Sequence, residues 1–368
     1  MTDNSSVVTV PAVLADGLYF NLPESTYHAD PALGSGSIRA LAKCPIYYWA
    51  ESDMNPFRTE RTETPALLFG RALHALVLEG VDEFKRRFTV APRAADYPEH
   101  LDSAVQMRAA LKERGEKVSG TKPEMTERLR SADPAIKLFA DVEAAFAQRV
   151  SAEGLTLLSQ KDYDRVIAGA AFILEDPRAG QVLGGGLSEV SMFWTVDGVR
   201  CKSRLDKLKV SKVGERTVGL ICDLKSFGNE LEMPPERAVL RSIATTRLDV
   251  QACSYLDGAA RIPEFLSAGK VYGLKGVAKP FLKALAEIKP SDWAFYWVFF
   301  EKDMPVTVLR SVSAGSQVIE AARNDVDRAL QSYRDYMERF GTAWKFVDPI
   351  PDTEVAITDL PAYIYATK

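Results

Sequence analysis

The chain has few of the residues that build disulfide frameworks or sulfur-rich metal clusters. Its 368 residues include four cysteines and three histidines. Cys44, Cys201, Cys222 and Cys253 lie far apart and form no C-x-x-C pair, so we expect reduced thiols rather than disulfide bonds. A basic and apolar N-terminal leader and a membrane-length apolar run are also missing from the sequence. These absences predict a cytoplasmic protein without membrane association.

An excess of positive charge is missing as well. The formal net charge is −4, and the hydrophobic and charged contents of 46% and 26% are those of a globular protein in water. The length is sufficient for one large domain or two ordinary ones. Since there is no general basic field, contact with nucleic acid would depend on local basic patches or on a bound metal ion.

The segment from Glu189 to Ser226 is the most informative part of the sequence. Its second half is a short apolar run, typical of a buried strand, that contains Asp223 and Lys225. Because strand side chains alternate, these two residues are expected on one face and Leu224 on the other. Burying a polar group costs about 2–7 kcal/mol and a charge costs more, unless a partner compensates for it. A metal ion would be such a partner.

The first half of this segment predicts a hairpin. Asp197-Gly198, between two alternating runs, is typical of a two-residue type I′ turn that pairs Val196 with Val199. Counting in equal steps from this turn places Glu189 directly opposite Asp206. Two facing carboxylates repel each other unless they share a proton or a cation.

Two interpretations of these acids remain open. Carboxylate oxygens are the ligands of hard divalent cations such as Mg²⁺, and a neighbouring lysine can orient water and stabilise charge on a phosphate. That combination indicates metal-assisted phosphodiester hydrolysis. Alternatively, Asp223 and Lys225 form a surface ion pair, and the other two acids only solvate a sheet edge.

Two predicted helices carry further candidates. Thr64–Gly80 predicts an almost wholly apolar helix packed on several sides, with His74 one turn after Gly70. His74 is either a core residue or a nitrogen ligand of a mixed Mg²⁺/Mn²⁺ site, and the glycine would let another backbone approach closely. Pro235–Arg261 is predicted to be helical, with Gln251 and Tyr255 one turn apart on one face. This pair either is plain helix surface or holds a water or a phosphate beside the acids.

The segment Asp102–Ser131 is charged, amphipathic and self-contained. Val105–Arg114 predicts one helix, and a capping box from Thr121 to Glu124 begins a second helix that reaches Arg130. The pair resembles the SAP or helix-extension-helix type of small DNA-binding motif. Its phosphate contacts would be Lys117, Lys122, Arg128 and Arg130. The alternative is a solvated helical insertion.

Several other elements are predicted from pattern alone. They are strands at Gly17–Leu22, Leu155–Leu158 and Trp293–Glu301 (the last as a central strand), a helix Gln160–Leu174 stopped by Asp176-Pro177, a helix start at Ser37, a long helix Ser316–Phe340 and an extended tail Ile357–Tyr365.

The order of these parts resembles the nuclease domain of exonuclease VIII, the RecE type, in the PD-(D/E)XK superfamily that includes the lambda-type exonuclease. The resemblance runs over most of the chain, and the occurrence of its motifs in the family's order makes it specific. The matching residues are Tyr27-His28-Ala29, Gly70-Arg71-Ala72-Leu73-His74 with Val77-Leu78-Glu79, Glu189 with Trp194, Cys201-Lys202-Ser203-Arg204-Leu205-Asp206-Lys207, Asp223-Leu224-Lys225-Ser226, Gln251 with Tyr255, and Leu360-Pro361.

The resemblance implies roles for these residues. The implied metal ligands are His74, Asp206, Asp223, the Leu224 carbonyl and, supported separately by the hairpin register, Glu189. The implied catalytic residues are Lys225, Asp223, Asp206, Gln251 and Tyr255, and Arg204 joins Lys122, Arg128 and Arg130 as DNA-binding residues. The second acid of the motif is Asp223 rather than the glutamate of the superfamily's name. The segment Asp102–Ser131 is not covered.

The implied fold is an α/β (α+β) restriction-endonuclease-like PD-(D/E)XK core, in which helices flank a central mixed β-sheet. The chain would comprise an N-terminal arm (1–25), an exonuclease domain (26–368) and a small helical insertion within it (102–131). The implied activity is Mg²⁺-dependent digestion of double-stranded DNA from 5′ ends, with Mn²⁺ as the alternative ion. A ring-shaped homo-oligomer and a RecT-type single-strand annealing partner in phage-type recombination are also implied.

Two other functions compete with this one. An iron–sulfur nuclease of the same superfamily needs a cysteine near the N-terminus and several near the C-terminus. Cys44 would be the first, but no cysteine follows Cys253, so no iron–sulfur cluster is expected. The other competitor is a DNA-binding or annealing accessory protein with structural acids, which would bind DNA without metal and without cleavage.

Overall fold

The structure is a computed structural model that describes residues 13–59, 62–342 and 352–359. Its strands are β1 (Gly17–Tyr19), β2 (Phe88–Val90), β3 (Thr156–Leu158), β4 (Leu187–Val196), β5 (Val199–Val213), β6 (Arg216–Phe227), β7 (Val271–Tyr272), β8 (Trp293–Glu301) and β9 (Val306–Ser313). The first half has helices α1 (Glu24–Ala29), α2 (Ser35–Lys43), α3 (Pro45–Glu51), α4 (Pro65–His74), α5 (Val81–Arg87), α6 (Ala104–Glu113), α7 (Lys122–Ala132), α8 (Phe139–Glu153), α9 (Gln160–Glu175) and α10 (Pro177–Leu183). The second half has α11 (Pro235–Thr246), α12 (Leu248–Ala259), α13 (Ile262–Ser267), α14 (Lys279–Ala286) and α15 (Gln317–Phe340).

A seven-stranded mixed sheet forms the centre, in the order β7-β1-β4-β5-β6-β8-β9. The pairs β6–β8 and β1–β7 are parallel, and the other neighbours are antiparallel. A separate parallel pair, β2 with β3, lies outside this sheet. The predicted α/β class, with helices on a central mixed sheet, is therefore confirmed.

Helices cover both faces of the sheet. One face packs against α2, α12 and α15, where Trp297 and Phe299 of β8 belong to the core. The other face packs against α4, α9 and α10, where Val298 and Phe300 are buried. Because both faces of β8 are covered, its sequence is almost continuously apolar rather than alternating. The strand is one position in from the edge, so its predicted central position is only approximately right.

The hairpin between β4 and β5 has the predicted turn and register. Asp197 (φ 46°) and Gly198 (φ 79°) both adopt left-handed conformations, as a type I′ turn requires. The ladder pairs Ser191 with Arg204 and, beyond the acids, Ser188 with Lys207. Glu189 and Asp206 therefore occupy opposing positions, as predicted.

The ladder is nevertheless distorted at these acids. It skips the pair of Glu189 with Asp206, and Glu189 itself has a left-handed φ of 57°. On β5, Leu205 and Leu208 belong to the same core, although a regular strand would place residues three apart on opposite faces. The alternation thus shifts by one residue at Asp206. A left-handed non-glycine residue is uncommon and carries strain, which is concentrated at functional sites in many proteins.

Some helix predictions are corrected by the structure. The predicted helix Pro235–Arg261 is two helices, α11 and α12, because Arg247 adopts a left-handed conformation (φ 54°) between them. Arg247 is held there by Asp249 and Asp325. Asp176 does end α9, but its side chain also accepts hydrogen bonds at the start of α10. The helix predicted from Ser37 begins earlier, after Gly34.

The predicted apolar helix Thr64–Gly80 has two parts. Thr64 caps α4, and the chain continues from His74 into one turn of π-helix, Ala75–Glu79, before Gly80 (φ 93°) ends it. The burial predicted around this helix fails at Leu67, whose side chain lies exposed at the edge of the cleft described below.

The helices predicted within Asp102–Ser131 form as α6 and α7. They share a small core of their own, separate from the two cores of the sheet: Met107, Ala110, Leu111, Met125, Leu129 and Leu138. A bridge between Leu101 and Leu138 brings the chain that precedes this segment beside the chain that follows it.

Parts of two predictions lie outside the described residues. These are the first twelve residues of the N-terminal arm and the motif Leu360-Pro361. Of the tail predicted at Ile357–Tyr365, only a short 3₁₀ turn, Ile357–Asp359, is described. Among the described helices, none has the length and apolar character needed to cross a bilayer.

Candidate active site

The centre of the site is Asp223 on β6. Its Oδ1 accepts hydrogen bonds from Lys225 Nζ at 2.9 Å and from Gln251 Nε2 at 3.0 Å. Its Oδ2 lies 2.8 Å from the same Nζ but is buried without a hydrogen-bond partner in the described structure. As the strand pattern predicts, Asp223 and Lys225 share one face, and the Leu224 side chain enters the opposite core.

The backbone of Leu224 is bound from both sides. Its N–H donates to Asp206 Oδ2 at 2.8 Å, and its carbonyl oxygen lies 2.6 Å from His74 Nε2. Since a carbonyl only accepts, Nε2 carries the proton. Nδ1 of the neutral ring then keeps its lone pair, 3.6 Å from Asp206 Oδ2. Burial, followed by the positive charge of Lys225, lowers the pKa of His74 and favours this neutral ring.

Glu189 completes the group of acids. Its carboxylate accepts a hydrogen bond from Arg204 Nε. Arg204 also donates to the Leu22 carbonyl at 2.9 Å and to Ser191 Oγ at 3.1 Å. The guanidinium group, predicted to contact DNA, is therefore largely engaged inside the protein.

The acids affect each other's protonation. Burial, and then the charge of Asp223, raises the pKa of Asp206 to about 7. Burial, and then the charge of Asp206, raises the pKa of Glu189 to about 7. Burial alone would lower the pKa of Lys225, but the charges of Asp223 and Asp206 outweigh it and raise that pKa. The site thus has surplus negative charge that one lysine does not balance.

Helix α12 supplies the wall next to the acids. Gln251 is buried and uses its amide nitrogen on Asp223, while its Oε1 has no hydrogen-bond partner among the described residues. Tyr255, one turn later, lines the cleft. Burial, and then the charge of Asp223, raises the pKa of this phenol.

Six of the site residues line a cleft of about 990 Å³: His74, Glu189, Asp206, Leu224, Lys225 and Tyr255. Asp223 and Gln251 are buried behind this lining. One wall is α4, where a Cβ added to Gly70 would lie 3.0 Å from Ser226 Oγ, so the glycine permits a close approach to β6. Another wall is the start of α2, residues Gly34 to Ser37. Basic groups also line the cleft: Arg71, Arg87, Lys202, Arg204, Lys225 and Lys302.

The donor set suits a hard divalent cation in its chemistry but is not assembled around one point. Carboxylate oxygens of Asp206, Asp223 and Glu189, a backbone carbonyl and an imidazole lone pair are suitable ligands. Within residues 13–59, 62–342 and 352–359, however, no three His, Cys, Asp or Glu side chains are arranged to hold a metal ion. The oxygens are instead engaged by Lys225, by the Leu224 N–H and by Arg204.

The other predicted DNA-binding residues lie on the inserted helices, away from the cleft lining. Lys122 Nζ lies 2.7 Å from Asp102 Oδ1, and Arg130 pairs with Asp141. Arg128 donates to the carbonyls of Lys117 and Ser119. All three cations already have partners, within the insertion for Lys122 and Arg128 and on α8 for Arg130.

Sequence reasoning missed one cluster beside the acids, which we call the Leu78 clamp: Ser188, Lys207 and the Leu78 carbonyl. Ser188 Oγ donates to that carbonyl at 2.6 Å, and the buried Lys207 Nζ lies 3.3 Å from it and 2.6 Å from Ser188 Oγ. The clamp fixes the π-helical turn that follows His74. Its only sequence signal is the cross-strand pairing of residues 188 and 207, which follows from the predicted register.

No protein-family model matches the chain, and no curated protein matches it in sequence. Among solved structures, the chain is similar to the crystal structure of a "Putative exonuclease" from Eubacterium rectale. The identity is 13%, the match covers 93% of this chain and 99% of the other, and the TM-score is 0.46. Likeness at this level does not define an activity, so the function is inferred from the site.

Proposed function

We propose that the protein is a metal-dependent nuclease that hydrolyses phosphodiester bonds of double-stranded DNA. The observation that supports this most directly is the Asp223 carboxylate, buried in β6, with Lys225 and Gln251 on one oxygen and Asp206 across Leu224. A buried set of acids with surplus negative charge, beside one lysine in a large cleft, suits the chemistry of phosphate transfer.

The roles of the residues follow from their positions. Asp206, Asp223, Glu189 and the Leu224 carbonyl would hold the cation, and His74 would join them as the nitrogen ligand once its ring no longer donates to that carbonyl. A bound Mg²⁺ or Mn²⁺ would polarise the phosphate and lower the pKa of a coordinated water. Lys225, partly exposed to the cleft, would orient the attacking water and stabilise the charge on the phosphate. Gln251 fixes the Asp223 carboxylate, and Tyr255 lines the cleft where substrate would lie.

The finer features of the proposal come from the resemblance to the RecE-type nucleases. They are digestion in the 5′-to-3′ direction from duplex ends, a ring-shaped homo-oligomer and a RecT-type annealing partner. We include the inserted helices as a second contact with DNA through Lys122, Arg128 and Arg130. Their present partners are exposed carboxylates and turn carbonyls, which phosphates could replace at modest cost because exposed ion pairs are weak.

Digestion of a linear duplex labelled at one 5′ end tests the proposal. We expect loss of duplex with Mg²⁺, none with EDTA, and none with Asp223→Asn or Lys225→Ala. The control is Asp53→Asn. Asp53 lies in the turn after α3, and its side chain is almost fully exposed. Early release of the 5′ label as a mononucleotide would indicate 5′-to-3′ digestion. Equal digestion by Lys225→Ala and the wild type would contradict the assigned role of the lysine.

The accessory-protein alternative is favoured by one observation. The acids already have hydrogen-bond partners. In the described part of the chain, no three His, Cys, Asp or Glu side chains are arranged to hold a metal ion. In that case the protein would bind duplex equally well in Mg²⁺ and EDTA and would cleave nothing with either Mg²⁺ or Mn²⁺. The same digestion assay, with a binding assay beside it, distinguishes the two functions.

A further inference from the structure

A second, smaller cavity borders another part of α12. It has a volume of about 260 Å³ and is enclosed by α2, β4, β5, α12 and α15. Gln251 and Tyr255, which belong to the candidate active site, do not line this cavity. The α12 residues that do are Ser254 and Asp257, and Ala260 and Arg261 line it from the link between α12 and α13.

Two polar groups that line this cavity lack hydrogen-bond partners among the residues that the structure describes. Ser254 is only 1% exposed, and its Oγ bonds to nothing. Arg261 Nε is likewise buried and unbonded, and the charge of this arginine acts on Asp257 without a direct ion pair among the described residues. Buried donors without partners destabilise a protein, so a ligand or ordered water is expected to satisfy them.

The charges around the cavity leave Arg261 as its available cation. Asp257 is engaged by Arg323, at 2.5 Å, and by a weaker contact from Cys253 Sγ at 3.8 Å. Asp327, the other acid of the lining, is exposed at the surface. A guanidinium N–H and a hydroxyl both donate hydrogen bonds, and the guanidinium carries positive charge. Together they favour an oxyanion.

The remaining wall is apolar. Trp194 and Val196 come from β4, and Ile38, Val326 and Leu330 come from α2 and α15. The Trp194 ring packs closely on α12, where a Cβ added to Gly258 would lie 2.9 Å from it. A ligand that fills this space therefore needs a compact apolar body as well as a charged head.

We propose that this cavity binds a small organic oxyanion, with its carboxylate or phosphate head on Arg261 and Ser254 and its apolar body beside Trp194. The site is separate from the acids of the cleft and does not depend on the proposed nuclease activity.

Calorimetric titration of the full chain tests the proposal with four probes. Benzoate and phenyl phosphate carry an oxyanion on a compact ring, benzamide is the neutral counterpart of benzoate, and inorganic phosphate has no apolar body. We expect saturable one-to-one binding of benzoate or phenyl phosphate. Benzamide and inorganic phosphate should each bind at least about tenfold more weakly. The stronger of the two ring compounds identifies the head group as carboxylate or phosphate.

Two variants locate the binding. Arg261→Met should weaken it by at least about tenfold, and Ser254→Ala should weaken it while leaving the melting temperature of the free protein unchanged or higher, because it removes an unbonded buried hydroxyl. Arg328→Met, which removes an exposed charge from α15, is the matched control and should bind as the wild type does. If Arg261→Met does not fold, Arg261→Lys replaces it and should also weaken binding.

The proposal is overturned if neither ring compound saturates up to about 10 mM. It is also overturned if binding is the same in the Ser254 and Arg261 variants as in the wild type, since the ligand would then lie elsewhere.

Discussion

At the scale of single residues, the informative position is Glu189. The type I′ turn predicts from sequence that it lies opposite Asp206, because hairpin register is set by the turn. Its left-handed backbone and the shift of alternation on β5 were not predictable, since no residue type at these positions requires either feature. Both depend on tertiary packing. The same distortion lets Asp206 reach the Leu224 N–H while Lys207 reaches the Leu78 carbonyl.

The raised pKa values of the two acids predict a pH dependence of stability without metal. An unfolded aspartate loses its proton near pH 4, whereas Asp206 and Glu189 in the folded protein retain theirs until about pH 7. The folded state then binds more protons between these values, so its stability falls as pH rises from about 4 to 7. Asp206→Asn should remove the part of this loss that comes from Asp206, while its amide oxygen can still accept the hydrogen bond from the Leu224 N–H.

The measurement is urea unfolding in EDTA at pH 5 and pH 8. The stability of Asp206→Asn relative to the wild type should be greater at pH 8 than at pH 5. Asp53→Asn, a surface change of the same group, is the control. Adding Mg²⁺ at pH 8 should stabilise the wild type more than the variant if Asp206 is a ligand. A relative stability that is identical at both pH values would contradict the raised pKa.

The Leu78 clamp predicts a coupled loss of stability. Lys207→Met removes a buried donor, and we expect it to destabilise the protein by about 1–3 kcal/mol. Ser188→Ala should cost a similar amount, and the double variant should cost less than the two single changes together because both donors serve one carbonyl. Chemical denaturation measures all three. Lys212→Met, an exposed change on the same strand, should cost almost nothing, and strict additivity would show that the two donors act independently.

At the scale of elements, local patterns predicted strands better than helix breaks. The strand β6 was predictable because it is a short, continuously apolar run, and α15 because its buried residues follow the helical period. The break at Arg247 was not readable, since arginine is a good helix former and only its pairing with Asp249 and Asp325 stabilises the left-handed conformation. The π-helical turn after His74 was not predictable either, because the Ser188 side chain that binds its Leu78 carbonyl belongs to another element, β4.

The inserted helices should unfold separately from the sheet, because their core is a separate cluster. Leu129 is fully buried in it, and Leu129→Ala should cost about 2–5 kcal/mol of local stability. Hydrogen exchange should then show faster exchange in α6 and α7 with little change in β6. Val105→Ala, at an exposed position of α6, is the control. Equal loss of protection in β6 would mean that the insertion and the sheet form one cooperative unit.

At the scale of the whole molecule, the basic residues proposed to contact DNA lie in two places. The cleft collects several around the acids, and the inserted helices carry Lys122, Arg128 and Arg130 at a distance from them. If the insertion contacts the DNA backbone, the salt dependence of binding should report it. Composition alone could not locate these charges, because the net charge of the chain is negative.

Changing Lys122, Arg128 and Arg130 together to Gln should weaken duplex binding and make its salt dependence shallower. Each phosphate contact contributes about 0.9 to the slope of log affinity against log salt, so the slope should fall by up to about 2.7. Fluorescence anisotropy in EDTA over a range of salt concentrations measures it. A control with Lys212, Arg216 and Lys283 changed to Gln removes equal charge elsewhere. An unchanged slope in the first variant would make the insertion a spacer.

The edge of the sheet has a consequence for how the chain is made. β1 pairs with β4 on one side and with β7 on the other, and Asn21 donates to the carbonyls of Gly273 and Lys275. The second partner of the first strand is therefore synthesised about 250 residues later. In the same way, β6, with Asp223, needs β8 beside it. During translation, β1 and β6 cannot complete their pairing until the segments that contain β7 and β8 have left the ribosome. The proposed nuclease centre would therefore form only after β8 has emerged, and a nascent chain would not attack nucleic acid during its own synthesis.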